Sequence, residues 1–143
     1  MNDLSVDIGY KSINHHGEYL CGDHVDVVQQ ENSDSKVVVL ADGLKSGVKA
    51  SIISTMMAHG LSLEECVHTI AATLPISSEY GVAYSTFTVM QVNHQDEMTL
   101  LQFDNPSVIL LRGGVSIHYP QEELVIDGKK VIKSVVKVKP NDI

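Results

Sequence analysis

Residues 36–51 read KVVVLADGLKSGVKAS, and the order of residue types along them decides the fold. An apolar run from Val37 to Ala41 stops at a carboxylate, Asp42, with Gly43 directly behind it. A short, β-branched run of this kind reads as a strand. Being apolar on both alternating faces, it is expected to be covered on both and to lie in the middle of the fold. After a polar turn the chain is small and apolar from Gly47 to His59, which reads as a helix, and Gly60 can close it in the left-handed conformation. The carboxylate at the junction has two readings. It is an ordinary strand-to-helix turn, or the strand holds a charge at the mouth of a site.

Downstream, Ser62 and Glu65 have the spacing of a capping box, and Leu63, Cys66, Val67, Ile70 and Leu74 mark one face of a second helix ending before Pro75. From Tyr84 the pattern is that of strands: YSTFTVMQV, EMTLLQF, SVILL, VSIHY and KVIKSVVKV, broken by NHQD, DNP, RGG and IDGKK. Asp127-Gly128 reads as a hairpin turn between two short β runs, and Asp104-Asn105-Pro106 as a tight turn between strands. Upstream, Ser5 to Tyr10 alternates like a half-buried strand. Strand character returns from Tyr19 to Val28, interrupted at Cys21-Gly22-Asp23, and Glu31 to Ser35 is a turn. Three β runs, two helices and five β runs predict an α+β fold, and residues 1–143 read as a single domain.

Composition narrows the function. The 143 residues carry 18 acidic and 10 basic side chains, a net charge of −8, which makes a phosphate backbone a poor partner. Five of the bases fall between Lys129 and Lys139 among valines, as on the solvated face of a strand where lysine discourages edge pairing. With no Trp and two Phe, the core must be built from Val, Ile and Leu. Cys21 and Cys66 form no framework and suit a reduced, cytoplasmic protein. The histidines have no zinc-site spacing, and no apolar run approaches the ~20 residues of a membrane span.

At the strand end a carboxylate and a glycine carbonyl are the hard oxygen ligands that Mg²⁺ and Mn²⁺ select. Asp23 sits at a similar break in an earlier β run. If the two strands are neighbours, Asp23 and Asp42 converge on one ion; the alternative is that both are solvated turn residues. GLKSGVK is neither a Walker loop nor a GxGxxG, so a phosphate loop is weakly supported.

The ordered set CGD, VVVLADGLKSGVKAS, SLEECVHTIAATLP, GVAYSTFTVMQV and FDNPSVILLRGG, spread from about Val6 to Ile143, resembles the stage II sporulation protein E type of metal-dependent, type 2C-like serine/threonine protein phosphatases. The resemblance implies a β-sandwich flanked by helices in α-β-β-α layers, with a two-ion Mn²⁺ or Mg²⁺ site at one end. It implies that Asp42 bridges the ions, that the Gly43 carbonyl binds one of them, and that Asp23 contributes directly or through water. The implied activity is attack of metal-activated water on phosphoserine or phosphothreonine of a bacterial regulatory phosphoprotein. Three departures accompany it. Lys45 replaces the middle glycine of DG-x-G-x-G, where it either reaches a substrate phosphate or points outward. The first helix is short. The strand and acidic ligands that follow KVKPNDI in the family are not in this sequence. The expectation is therefore a domain incomplete at its C-terminus and weakly active or inactive alone, with a phosphatase-like binding module as the alternative.

Overall fold

The computed structural model describes residues 4–14, 16–17, 23–30, 34–42, 46–73, 86–126 and 128–143. Its elements are β1 (His24–Gln29), β2 (Lys36–Asp42), α1 (Ser46–Ala58), α2 (Leu63–Thr73), β3 (Thr86–Val92), β4 (Glu97–Phe103), β5 (Leu110–Arg112), β6 (Val115–Ile117), β7 (Glu122–Ile126) and β8 (Lys129–Lys137). Six strands form one antiparallel sheet in the order β1-β2-β3-β4-β8-β7, and β5 and β6 form a separate two-stranded hairpin. The architecture is α+β, as the residue pattern predicts.

The period of two along the strands sorts the side chains onto two faces. One face carries Val37, Val39, Ala41, Phe87, Val89, Leu101, Phe103 and Val131, all buried, and meets Ala50, Ile53 and Met57 of α1 and Leu63, Cys66 and Val67 of α2. Phe87 and Phe103, cross-strand partners, stack with ring centroids 5.6 Å apart. Burial pushes the Cys66 thiol up to about 11. On the opposite face Met98, Leu100 and Leu110 form a second cluster, closed over by Val108, Ile117 and Tyr119 of the β5–β6 region.

Local chemistry accounts for the joints. α1 ends as its sequence predicts: Gly60 has φ +84°, its N–H donates to the Met57 carbonyl, and the Leu61 N–H donates to that of Met56. At the start of α2 the Glu65 N–H donates to Ser62 Oγ at 3.2 Å and the Ser62 N–H to Glu65 Oε2 at 2.8 Å, the reciprocal bonds of a capping box. Gly113 and Gly114, at φ +59° and +78°, make the two-residue turn between β5 and β6, and Gly128, at φ +74°, closes the β7–β8 hairpin.

Three expectations are corrected. β2 is covered on one face only: Val37, Val39 and Ala41 are buried, whereas Leu40 on the opposite face is 40% exposed, and β2 lies one strand in from the sheet edge. Ser5 to Tyr10 forms no strand. Its apolar residues are half-buried in alternation, but it is tied through the Val6 carbonyl, which accepts from Lys36 Nζ at 2.6 Å, instead of through a ladder. Of the predicted Tyr19 to Val28 strand, residues 19–22 lie outside the description and β1 begins at His24. The lysines after Lys129 do not guard an edge: β8 is interior, the edge is β7, and Lys133 pairs with Glu64 of α2 while Lys130 pairs with Glu123. Ile70 lies in α2, and Leu74 and Pro75 fall outside the described residues.

Candidate metal centre

The site follows from strand register. In the β1–β2 pair His24 faces Ala41, so the next step of the same register sets Asp23 opposite Asp42. In the β2–β3 pair Asp42 faces Thr86. The row of Asp23, Asp42 and Thr86 therefore crosses three strands at one end of the sheet, on the face away from the helices. Asp23 and Asp42 are both exposed to solvent, and Thr86 is half-buried.

The Asp23 carboxyl interacts directly with that of Asp42. Asp42 accepts a hydrogen bond from Asp23 when that group is protonated, and this bond, helped by partial desolvation and by the Asp42 charge, raises Asp23 above the usual aspartate range. Like charges so placed repel each other at neutral pH unless a cation or a proton lies between them. Neither carboxylate makes an ion pair with a described residue. A pair of carboxylate oxygens at a strand end suits a hard divalent cation, and the chemistry of this donor set fits Mn²⁺ or Mg²⁺. Among the described residues no group of three or more His, Cys, Asp and Glu side chains is arranged to hold a metal. Gly43 and Lys45 lie outside the described residues.

Next to the pair lies a polar cluster that sequence reasoning passed over. Thr86 Oγ1 donates to Asn105 Oδ1, and Asn105 Nδ2 donates to Thr88 Oγ1 at 2.9 Å. Asn105 belongs to the DNP turn, where Asp104 has φ +52°, a left-handed conformation that aspartate tolerates. The turn sends the chain back across the sheet face, and Gln102 Oε1 fastens its far side by accepting from the Val108 N–H at 3.1 Å. The sequence marks this segment as a turn. That its carboxamide reaches the strand beside Asp42 is a consequence of pairing between distant segments.

An antiparallel sheet with helices on one face and a carboxylate pair at one end of the other defines the class of fold. Among solved structures the chain is similar to the RsbU and RsbW domains of Rv1364c from Mycobacterium tuberculosis, at 15% identity and a TM-score of 0.62, over 90% of this chain and 39% of that one. At that identity the likeness speaks for the fold. The chain spans well under half the length of that protein. No protein-family model matches the chain, and no curated protein matches it. No helix among the described residues is long and apolar enough to cross a membrane.

Proposed function

We propose that this chain carries the core of a metal-dependent phosphoserine/phosphothreonine protein phosphatase of the stage II sporulation protein E type, acting on a phosphorylated regulatory protein in bacterial cytoplasmic signalling. The observation that carries the reading is the placement of Asp23 opposite Asp42 at the end of neighbouring strands. The ordered motifs of the sequence support it, and the fold likeness to the RsbU and RsbW domain structure is compatible with it. In this reading the sheet is one half of the family's sandwich, and a second strand layer belongs on its half-covered face.

Asp23 and Asp42 would hold Mn²⁺ or Mg²⁺, with the Gly43 carbonyl as a further ligand. A divalent ion so held supplies Lewis-acid stabilisation of phosphoryl charge and makes water a better nucleophile at neutral pH. The residues' own part would be to fix that charge: the β1–β2 register sets the two carboxylates side by side, with the buried, helix-facing side of the sheet behind them. Lys45, at the position of the motif's middle glycine, either reaches a substrate phosphate or points outward. The test is Mn²⁺-dependent phosphate release from phosphoserine and phosphothreonine proteins by the wild type and by Asp42→Asn. The substitution should lower the rate by about 100-fold or more, as loss of a metal-bridging carboxylate does; an unchanged rate removes Asp42 from the chemistry.

A second reading, a phosphatase-like module that binds a regulatory phosphoprotein without turnover, is favoured by one observation. The described carboxylates come as a pair, whereas the family's two-ion chemistry uses a fuller acidic set. Saturable binding of the phosphoprotein with no phosphate release would select it.

A further inference from the structure

We propose that Thr86 supplies a third side-chain oxygen to the cation centre, and that Asn105 is the positioning residue that turns the Thr86 hydroxyl proton away from it. The proposal deepens the metal reading of Asp23 and Asp42 and rests on it.

Three observations lead to Thr86. First, it is the direct cross-strand partner of Asp42, on the same face and in the same row as Asp23. Side chains so paired start about 4.5–5.5 Å apart at Cβ, within reach of a shared ligand. Second, a threonine hydroxyl has one proton and two lone pairs. The proton is committed to Asn105 Oδ1, so only lone pairs remain for the neighbouring ligand. Third, the carboxamide is pinned at its other end, because its Nδ2 donates to Thr88 Oγ1 two residues along the same strand, and Thr88 is buried.

The loop carrying Asn105 is itself constrained. Pro106 restricts the residue before it to extended backbone, and the Gln102–Val108 bond ties down the end of the loop. Asp23, Asp42 and Thr86 therefore form a row of acceptors. A hydroxyl oxygen beside two carboxylates is a ligand set that hard divalent ions accept. A donor turned toward the carboxylates would instead compete with the ion. This is why the orientation set by Asn105 matters.

The test is calorimetric titration with Mn²⁺ of the wild type and of Thr86→Val, Thr86→Ser, Asn105→Ala and Asp42→Asn, together with the Mn²⁺-induced rise in melting temperature of each against its own metal-free value. Thr86→Val keeps the shape and removes the oxygen, and should weaken Mn²⁺ binding about tenfold; Thr86→Ser restores the oxygen and should stay within about threefold of wild type. Asn105→Ala frees the hydroxyl and should weaken binding by several-fold without changing stoichiometry. Wild-type affinity in Thr86→Val, with binding lost in Asp42→Asn, overturns the role of Thr86 and leaves the metal reading standing. Absence of Mn²⁺ binding in the wild type overturns the metal reading itself. Should Thr86→Val fail to fold, a tenfold loss in Thr86→Ser or wild-type affinity in Asn105→Ala overturns the proposal on its own.

Discussion

Asp142 shows how one side chain can fasten two segments. Its Oδ1 accepts from Arg112 Nε at 2.8 Å and its Oδ2 from Arg112 Nη2 at 2.7 Å, while Oδ2 also accepts from the Lys139 N–H. The backbones of Leu111 and Ile143 exchange two further bonds beside it. The Arg112 hydrogen bonds outweigh desolvation and hold Asp142 down to about 2, against an ordinary 3.8. A carboxylate with a depressed folded-state pKa stabilises the fold above its unfolded value, and that contribution is lost as pH falls through the folded value. Wild type should therefore exceed Asp142→Asn in stability by a constant margin above about pH 4, with the margin closing between about pH 4 and pH 2. Urea unfolding at pH 7, 4 and 2 checks this, and an equal margin at pH 2 contradicts it. The same scale marks the limit of reading a site from sequence. Asp42 stood out because an apolar strand ended on it. Thr86 and Asn105 did not, because a threonine in a strand and an asparagine in a turn are unremarkable until pairing sets them beside Asp42.

Among the elements, α2 was the most legible. Its start is written in four residues, Ser62 to Glu65, and both capping bonds form. Ser62→Ala should lower stability by about 1 kcal/mol, whereas Ser62→Asp, also a good cap, should stay within a few tenths. Denaturant midpoints of the two variants decide it; equal losses would mean that the cap contributes nothing beyond its position. Strands whose partners lie close in sequence were nearly as legible, since turn residues fix the β5–β6 and β7–β8 hairpins. Glu122–Ile126 was less so: two exposed glutamates open it, and only the hairpin turn after it signals a strand. Ser5 to Tyr10 failed for the opposite reason. Alternation records which side chains meet the protein, and this segment does so without a ladder. Alternation alone does not separate the two cases.

In the whole molecule, one sheet carries two unequal faces. Leu100 and Leu101 are adjacent on β4 and both fully buried, yet they enter different clusters. Leu101 lies beneath two helices and Leu100 beneath the short β5–β6 hairpin. Both should lose roughly 2–5 kcal/mol on replacement by alanine, with Leu101→Ala toward the upper end, because the hairpin can settle into the space and the helical layer cannot. A larger loss at Leu100, measured by chemical unfolding, would reverse that ranking of the faces. The α+β class was legible because two helix patterns and many strand patterns do not overlap. The cover over β2 was not, because an apolar residue such as Leu40 reads alike under a second layer and half in solvent. The helical layer has one more consequence. Cys66 lies wholly beneath it, and its thiol is held in the unreactive protonated form. Alkylating reagents attack the thiolate, so this sulfur is modified only when α2 lifts from the sheet. The rate at which it is labelled under native conditions is thus a clock for that opening, carried in the protein without any added probe.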